Sequence, residues 1–310
     1  MKRIALVSTM VCLSAAAAAQ TGGNGGTPTQ DPPSGFFSKQ TPKDVVEFEM
    51  MTWPEVYRAI HHEGKTTALF YTGGTESRGP QNVNGGHNIM ARATVRAIAL
   101  KLGNAIAMPV LPYTPNNANA QLTGTIGLTD DIMASILERV SEQAIVTGFK
   151  NIILMGDHGG GQPAVYAGVA KKLEEKYAAK AKTEGRPQEA HVYFCDEVYA
   201  KAQNDYENML RSKNLPTSTH AGIQDTSELM YLQGSTQNYT RLDLLPVAVT
   251  VPGTAGRRGA AQASDATAPR PVPSGVQGDG RESTVELGKI AFDNKVDYAV
   301  RQIRQLLGMK

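Results

Sequence analysis

Residues 151–161 read Asn151-Ile152-Ile153-Leu154-Met155-Gly156-Asp157-His158-Gly159-Gly160-Gly161. An apolar run without polar alternation marks a strand buried on both faces. This one breaks directly into glycines that carry an aspartate and a histidine. Residues 67–76 repeat the design, with Thr67-Ala68-Leu69-Phe70-Tyr71 running into Thr72-Gly73-Gly74-Thr75-Glu76. Ala105 to Leu111 and His191 to Cys195 read as two further strands. Helical apolar spacing covers Trp53–His62, Asn88–Leu102, Thr129–Thr147, Gln162–Tyr177, Asp225–Leu232 and Val285–Met309. Thr52 and Pro54 mark the start of the first of these helices, and Gly103 and Gly148 the ends of the second and third. Buried strands alternating with helices predict an α/β protein, a layered α/β/α arrangement around a mainly parallel sheet. In such folds ligands sit at the carboxyl ends of the strands, where the glycine-rich turns lie.

The 310 residues suffice to bury a core, and 31 basic residues against 29 acidic ones give a formal charge of +2. That balance argues against a nucleic-acid partner. Two cysteines exclude a disulfide scaffold, and no internal apolar run is long enough for a membrane span. Met1-Lys2-Arg3, the apolar run Ile4 to Ala19 and the small residues Ala17-Ala18-Ala19 read as a secretory signal peptide over residues 1–19. The expectation is an exported protein, periplasmic or secreted. Cleavage would remove Lys2, Arg3 and Cys12, leaving 29 basic and 29 acidic residues and the single Cys195, read as a buried strand thiol. Residues 20–47 are rich in Gly, Pro, Thr and Gln and read as a flexible tether before a domain spanning 48–310. Within that domain, 252–282 reads as a long irregular loop, either a cover over the site or simply unstructured.

Four segments concentrate the chemistry: 73–88, 156–162, 220–227 and 275–280. They hold three of the six histidines, and Glu76, His87, His158 and Asp225 together offer two imidazoles and two carboxylates. Nitrogen and oxygen donors without thiolate suit a divalent Zn, Mn or Fe ion. His61, His62 and His191 read as helix-end or strand-start residues with no metal role. His158-Gly159-Gly160-Gly161 also matches the oxyanion turn of serine esterases, but no Gly-x-Ser-x-Gly elbow occurs in the chain. Nor does a G-x-G-x-x-G join a strand to a helix.

These segments resemble the creatininase family (creatinine amidohydrolase-like proteins). That family shows G-S-T-E-Q-H-G-P-H, P-G-T-I, N-G-H-G-G-N, H-A-x-x-x-E-T-S and G-x-x-G-D in this order. Here the corresponding stretches are Gly73 to Gln81, Thr123 to Ile126, Gly156 to Gly161, His220 to Ser227 and Gly275 to Asp279. The likeness runs from about residue 48 to the end. It implies metal-dependent hydrolysis of non-peptide C–N bonds in small cyclic or linear amides, and assembly as a homo-oligomer, often a hexamer. Glu76 matches the family's first carboxylate ligand, His158 a later histidine ligand, and His220 an acid/base or substrate group. Asp225 replaces the glutamate of E-T-S.

The departures are as informative. Arg78 stands where the family has a histidine ligand to its second metal, His87 stands at the bridging aspartate, and Gly160 offers no side chain. A guanidinium has no lone pair to give a cation and repels one. The expectation is therefore one metal per chain, held by Glu76, His87 and His158, with Asp225 as a further candidate. His220 would protonate the leaving nitrogen, Asp225 or Asp157 would take the proton from water, and Arg78 would hold a substrate carboxylate or the oxyanion, or simply balance charge. Two other readings stay open at this point: an exported ligand-binding protein on the same fold without catalysis, and a metal-dependent lactonase or esterase.

Overall fold

The structure, a computed structural model, describes residues 31–116, 122–156, 158–159, 162–252 and 274–309. The expected signal peptide, Asp157 and most of the 252–282 loop lie outside these residues. Four parallel strands, β1 (Thr67–Thr72), β2 (Ala105–Ala107), β3 (Asn151–Gly156) and β4 (His191–Phe194), form one sheet in the order β2-β1-β3-β4. The central pair is in register from Thr67 opposite Asn151 to Thr72 opposite Gly156.

Successive strand residues point to opposite faces, and each face is covered. Leu69, Tyr71, Ile153 and Met155 pack on α2 (Gly86–Leu102) and α7 (Val285–Leu306) through Val95, Ile98, Val300 and Ile303. Ala68, Phe70, Ile152 and Leu154 pack on α1 (Trp53–His61), α3 (Asp130–Thr147) and α4 (Gln162–Thr183) through Ile60, Met133, Leu137, Val169 and Leu173. This two-sided burial is why the strands read as continuous apolar runs, and it gives the expected α/β/α layering. Two further helices, α5 (Ala200–Ser212) and α6 (Ile223–Gln233), extend the α7 side, joined by Tyr206, Leu210, Ile223, Leu287 and Ala291. No helix among the described residues is long and apolar enough to cross a membrane.

Several boundaries differ from the sequence reading for identifiable reasons. The second strand stops at Ala107 rather than Leu111: Ala107 N turns outward to Val46, and Pro109, on that same side, has no N–H to continue the pairing. Leu111 still rejoins β1, accepting a hydrogen bond from Gly73 N at 2.9 Å. α4 continues past Tyr177 to Thr183, through alanines and lysines that favour helix, and the chain turns at Gly185 with φ 64°. Cys195 lies one residue beyond β4, buried, and burial pushes its thiol pKa up. Residues 43–47, given to the tether by composition, lie against the sheet: Val46 is in the core and accepts from Ala107 N at 2.7 Å. Residues 31–42 rest on α1, with Phe36 edge-on to Trp53 and Arg58 over the Phe37 ring. At the other end, residues 274–280 are paired rather than irregular, bridging His220 through Gln277 and Val249 through Asp279.

Leu69 on β1 has no solvent exposure. Leu69→Ala is expected to cost about 3 kcal/mol. Urea unfolding checks this; an unchanged midpoint would contradict the assignment of β1 to the centre of the core.

Candidate metal centre

The turn after β1 carries Glu76 into the space above the sheet's carboxyl edge. Gly74 N donates to Asn88 Oδ1 at 2.9 Å, and Glu76 N donates to the Asn84 carbonyl at 3.0 Å. Gly73 is needed there, because a Cβ would collide with Asn88 Oδ1. His87 arrives on the first turn of α2, and His158 two residues past the end of β3. The end of β3 uses glycine for the same reason: a Cβ on Gly156 would collide with the Tyr166 hydroxyl.

Glu76, His87 and His158 are all buried, and each offers a ligand atom within 4.8 Å of the others. His158 Nε2 lies 2.9 Å and His87 Nε2 3.1 Å from the same atom, Glu76 Oε1. The two rings meet edge-on with centroids 4.8 Å apart. Arg78 Nη1 is 3.4 Å and His220 Nδ1 3.7 Å from that same oxygen. The three nitrogen groups within 3.4 Å of this oxygen already exceed the two lone pairs it has for hydrogen bonds. The crowding is natural for imidazoles that present lone pairs to a shared cation. Two buried imidazoles and a buried carboxylate thus fit a divalent ion of the Zn, Mn or Fe type.

Burial by itself would raise the Glu76 pKa, but the hydrogen bonds from His158 and His87 outweigh it and hold the carboxyl far below the usual range. Burial lowers the His220 pKa, opposed by Glu76 and assisted by Arg78, so its ring is neutral near neutral pH. His220 Nε2 sits 2.9 Å from the Ser77 carbonyl, which can only accept, so that nitrogen carries the hydrogen and Nδ1 faces Glu76.

Arg78 has no solvent exposure. Its Nη2 lies 2.8 Å from Asp225 Oδ2, while Nη1 faces Glu76. The guanidinium is thus engaged by two carboxylates of its own chain. Asp225, on the first turn of α6, also accepts from Ala221 N at 2.7 Å and stands outside the three-residue cluster. Burial would raise its pKa, yet Arg78, with His87 and His220, brings it down to about 2.

Some neighbours were not singled out from the sequence. Gln81 Nε2 donates to the Ala221 carbonyl at 2.8 Å, and Thr226 Oγ1 donates to the same oxygen at 3.3 Å. Both were inside the quoted segments, but neither residue type signals a long-range role. Tyr199, just before α5, brings its hydroxyl into the space a Cβ on Gly159 would need. Its position a few residues past β4 is the signal that would have found it.

The creatininase family model, described as creatinine amidohydrolase, matches residues 49–303. Among solved structures, a tryptophan-to-phenylalanine mutant of creatininase superposes with a TM-score of 0.62 at 16% identity, covering 84% of this chain and 98% of that one. A creatininase described as the manganese form gives 0.60, with the same identity and coverage. A putative creatinine amidohydrolase from Bacteroides fragilis gives 0.58 at 17% identity, covering 87% of this chain and 99% of that one. No match is found among curated proteins.

The Arg78–Asp225 pair makes a pH prediction. Asp225 is depressed from 3.8 to about 2. Its contribution is therefore present above the ordinary carboxyl pKa and is lost as pH falls through the folded value. In chelator, wild type is expected to exceed Asp225→Asn by about 2 kcal/mol at pH 6, with the gap closing between pH 4 and 2. Denaturant titrations at each pH check this, and a pH-independent gap would contradict the pairing.

Proposed function

This chain belongs to the creatininase family, and on that premise we propose that it is a metal-dependent amidohydrolase cleaving a non-peptide C–N bond of a small cyclic or linear amide. The observation that carries the reading is the convergence of Glu76, His87 and His158, all buried, at the carboxyl edge of a parallel sheet. A divalent cation held by these three residues supplies Lewis acidity, which acidifies water and polarises an amide carbonyl. Arg78 is the reason for one ion rather than two: its guanidinium lies 3.4 Å from Glu76 Oε1 and repels a second cation there.

The chain's own groups handle the protons. As water adds to the carbonyl carbon, its proton passes to Asp157, which follows β3 directly in sequence. The C–N bond breaks when the leaving nitrogen receives that same proton, passed from Asp157 to the lone pair of His220 Nδ1 and on to the nitrogen. The Ser77 carbonyl fixes that ring so that Nδ1, the nitrogen facing Glu76, is the working atom. Arg78, with no solvent exposure, acts by holding Glu76 and Asp225 rather than by touching substrate. The proposal includes export after removal of residues 1–19 and assembly as a homo-oligomer. Mass analysis of the secreted chain and light scattering check these two points.

The test of activity is a panel of small lactams, formamides and lactones offered to protein stripped with chelator and reloaded with Zn, Mn or Fe. At least one amide is expected to be hydrolysed, with activity lost on chelation, restored by metal, and reduced about 100-fold or more in His158→Ala. Turnover indifferent to chelation, or hydrolysis of lactones alone, would overturn the reading.

A further inference from the structure

The segment that presents His220 contains a backbone outlier. Ala221, fully buried, has φ 54°, one of two non-glycine residues with positive φ among those described. That conformation is unfavourable for an L residue with a Cβ and persists only where its surroundings impose it. Here three hydrogen bonds do so. Asp225 Oδ2 accepts from Ala221 N at 2.7 Å, and Gln81 Nε2 and Thr226 Oγ1 donate to its carbonyl at 2.8 and 3.3 Å. On the other side His220 is paired with Gln277, whose N donates to the His220 carbonyl at 2.9 Å. Held at its carbonyl by Gln277 N and at Nε2 by the Ser77 carbonyl, His220 is joined to α6 through the twist at Ala221.

The oxygen that holds Ala221 also holds Arg78. Asp225 Oδ2 is 2.8 Å from Arg78 Nη2, and the other terminal nitrogen, Nη1, is 3.4 Å from Glu76 Oε1. The bond to Ala221 lies one residue before the Gly222 cap of α6, and a helix start does not require partnership with a guanidinium that has no solvent exposure. We propose that Asp225 is a positioning residue, neither a metal ligand nor the base: one carboxylate oxygen ties the His220 turn to Arg78 and so fixes both groups relative to Glu76. This deepens the amidohydrolase reading and rests on it for the meaning of the site, though not for its test.

The two functions of that oxygen separate in two conservative variants. Asp225→Asn keeps an acceptor in place and loses the charge. Asp225→Glu keeps the charge and moves the oxygen by about one methylene length away from Ala221. Two measurements on the full chain read the outcome. Zinc affinity is measured by competition with a chromophoric chelator. Solvent exchange of the His220 Nε2–H, bonded to the Ser77 carbonyl, is followed by NMR on protein labelled at histidine nitrogen and assigned with His220→Gln.

Both variants are expected to keep zinc binding, weakened by no more than about 100-fold, since each changes a group behind the ligands and neither removes a ligand. Asp225→Asn should keep the protected Nε2–H, and Asp225→Glu should exchange it about tenfold faster or more. Zinc binding lost as completely in Asp225→Asn as in His158→Ala would make Asp225 a ligand and overturn the proposal. Wild-type protection in Asp225→Glu would also overturn it, because charge alone would then suffice. If wild-type protein bound no zinc, manganese or iron, the amidohydrolase reading would fail, while the exchange comparison would still decide the positioning role.

Discussion

An ionised carboxylate sealed from water at the edge of the sheet is the constraint around which this end of the molecule is built. Glu76 is 1% exposed, and leaving such a charge uncompensated is among the costliest things a fold can do. Its compensation comes from separate places: His87 from the first turn of α2, His158 from just past the end of β3 and Arg78 from its own turn. Each is correctly placed only if β1 and β3 pair in their observed register and α2 leaves the sheet where it does. The core and the centre are thus one construction. The apolar strands fix the height of the turns, and the buried anion makes that height matter.

The second layer links the turns to each other. Ser77 meets His220, Arg78 meets Asp225, and Gln81 meets Ala221, so the residues around Glu76 lock onto the segment entering α6 at three points. Arg78 changes the character of this layer. A buried guanidinium is permanently charged, so it offsets the carboxylates whether or not a metal is present. A centre with this cation built in takes up less positive charge from solution than one made of acids and histidines alone.

Much of this was legible in the sequence, and the reasons are physical. Strands buried on both faces announce themselves as unbroken apolar runs, and the glycine turns after β1 and β3 sit where the chemistry is. β2 reads longer than it is because apolar content conceals the missing donor of Pro109. α5 carries little sequence signal: only Ala202, Tyr206 and Leu210 are buried among polar neighbours, so its apolar stripe is narrow. At the site, Arg78 was readable as a residue unable to bind metal, but its pairing with Asp225 spans separate segments and follows from tertiary packing. The left-handed turn at Ala221 has no signal in residue type, since alanine is not a residue that favours it.

The central claim is that the chain holds one divalent ion, at Glu76, His87 and His158, with Arg78 standing against a second. Elemental analysis of the protein, expressed with residues 1–19 and purified without chelator, tests it most directly. The account predicts about one Zn, Mn or Fe per chain. Two metals per chain would contradict the role given to Arg78, and none, in folded protein offered all three ions, would contradict the centre itself.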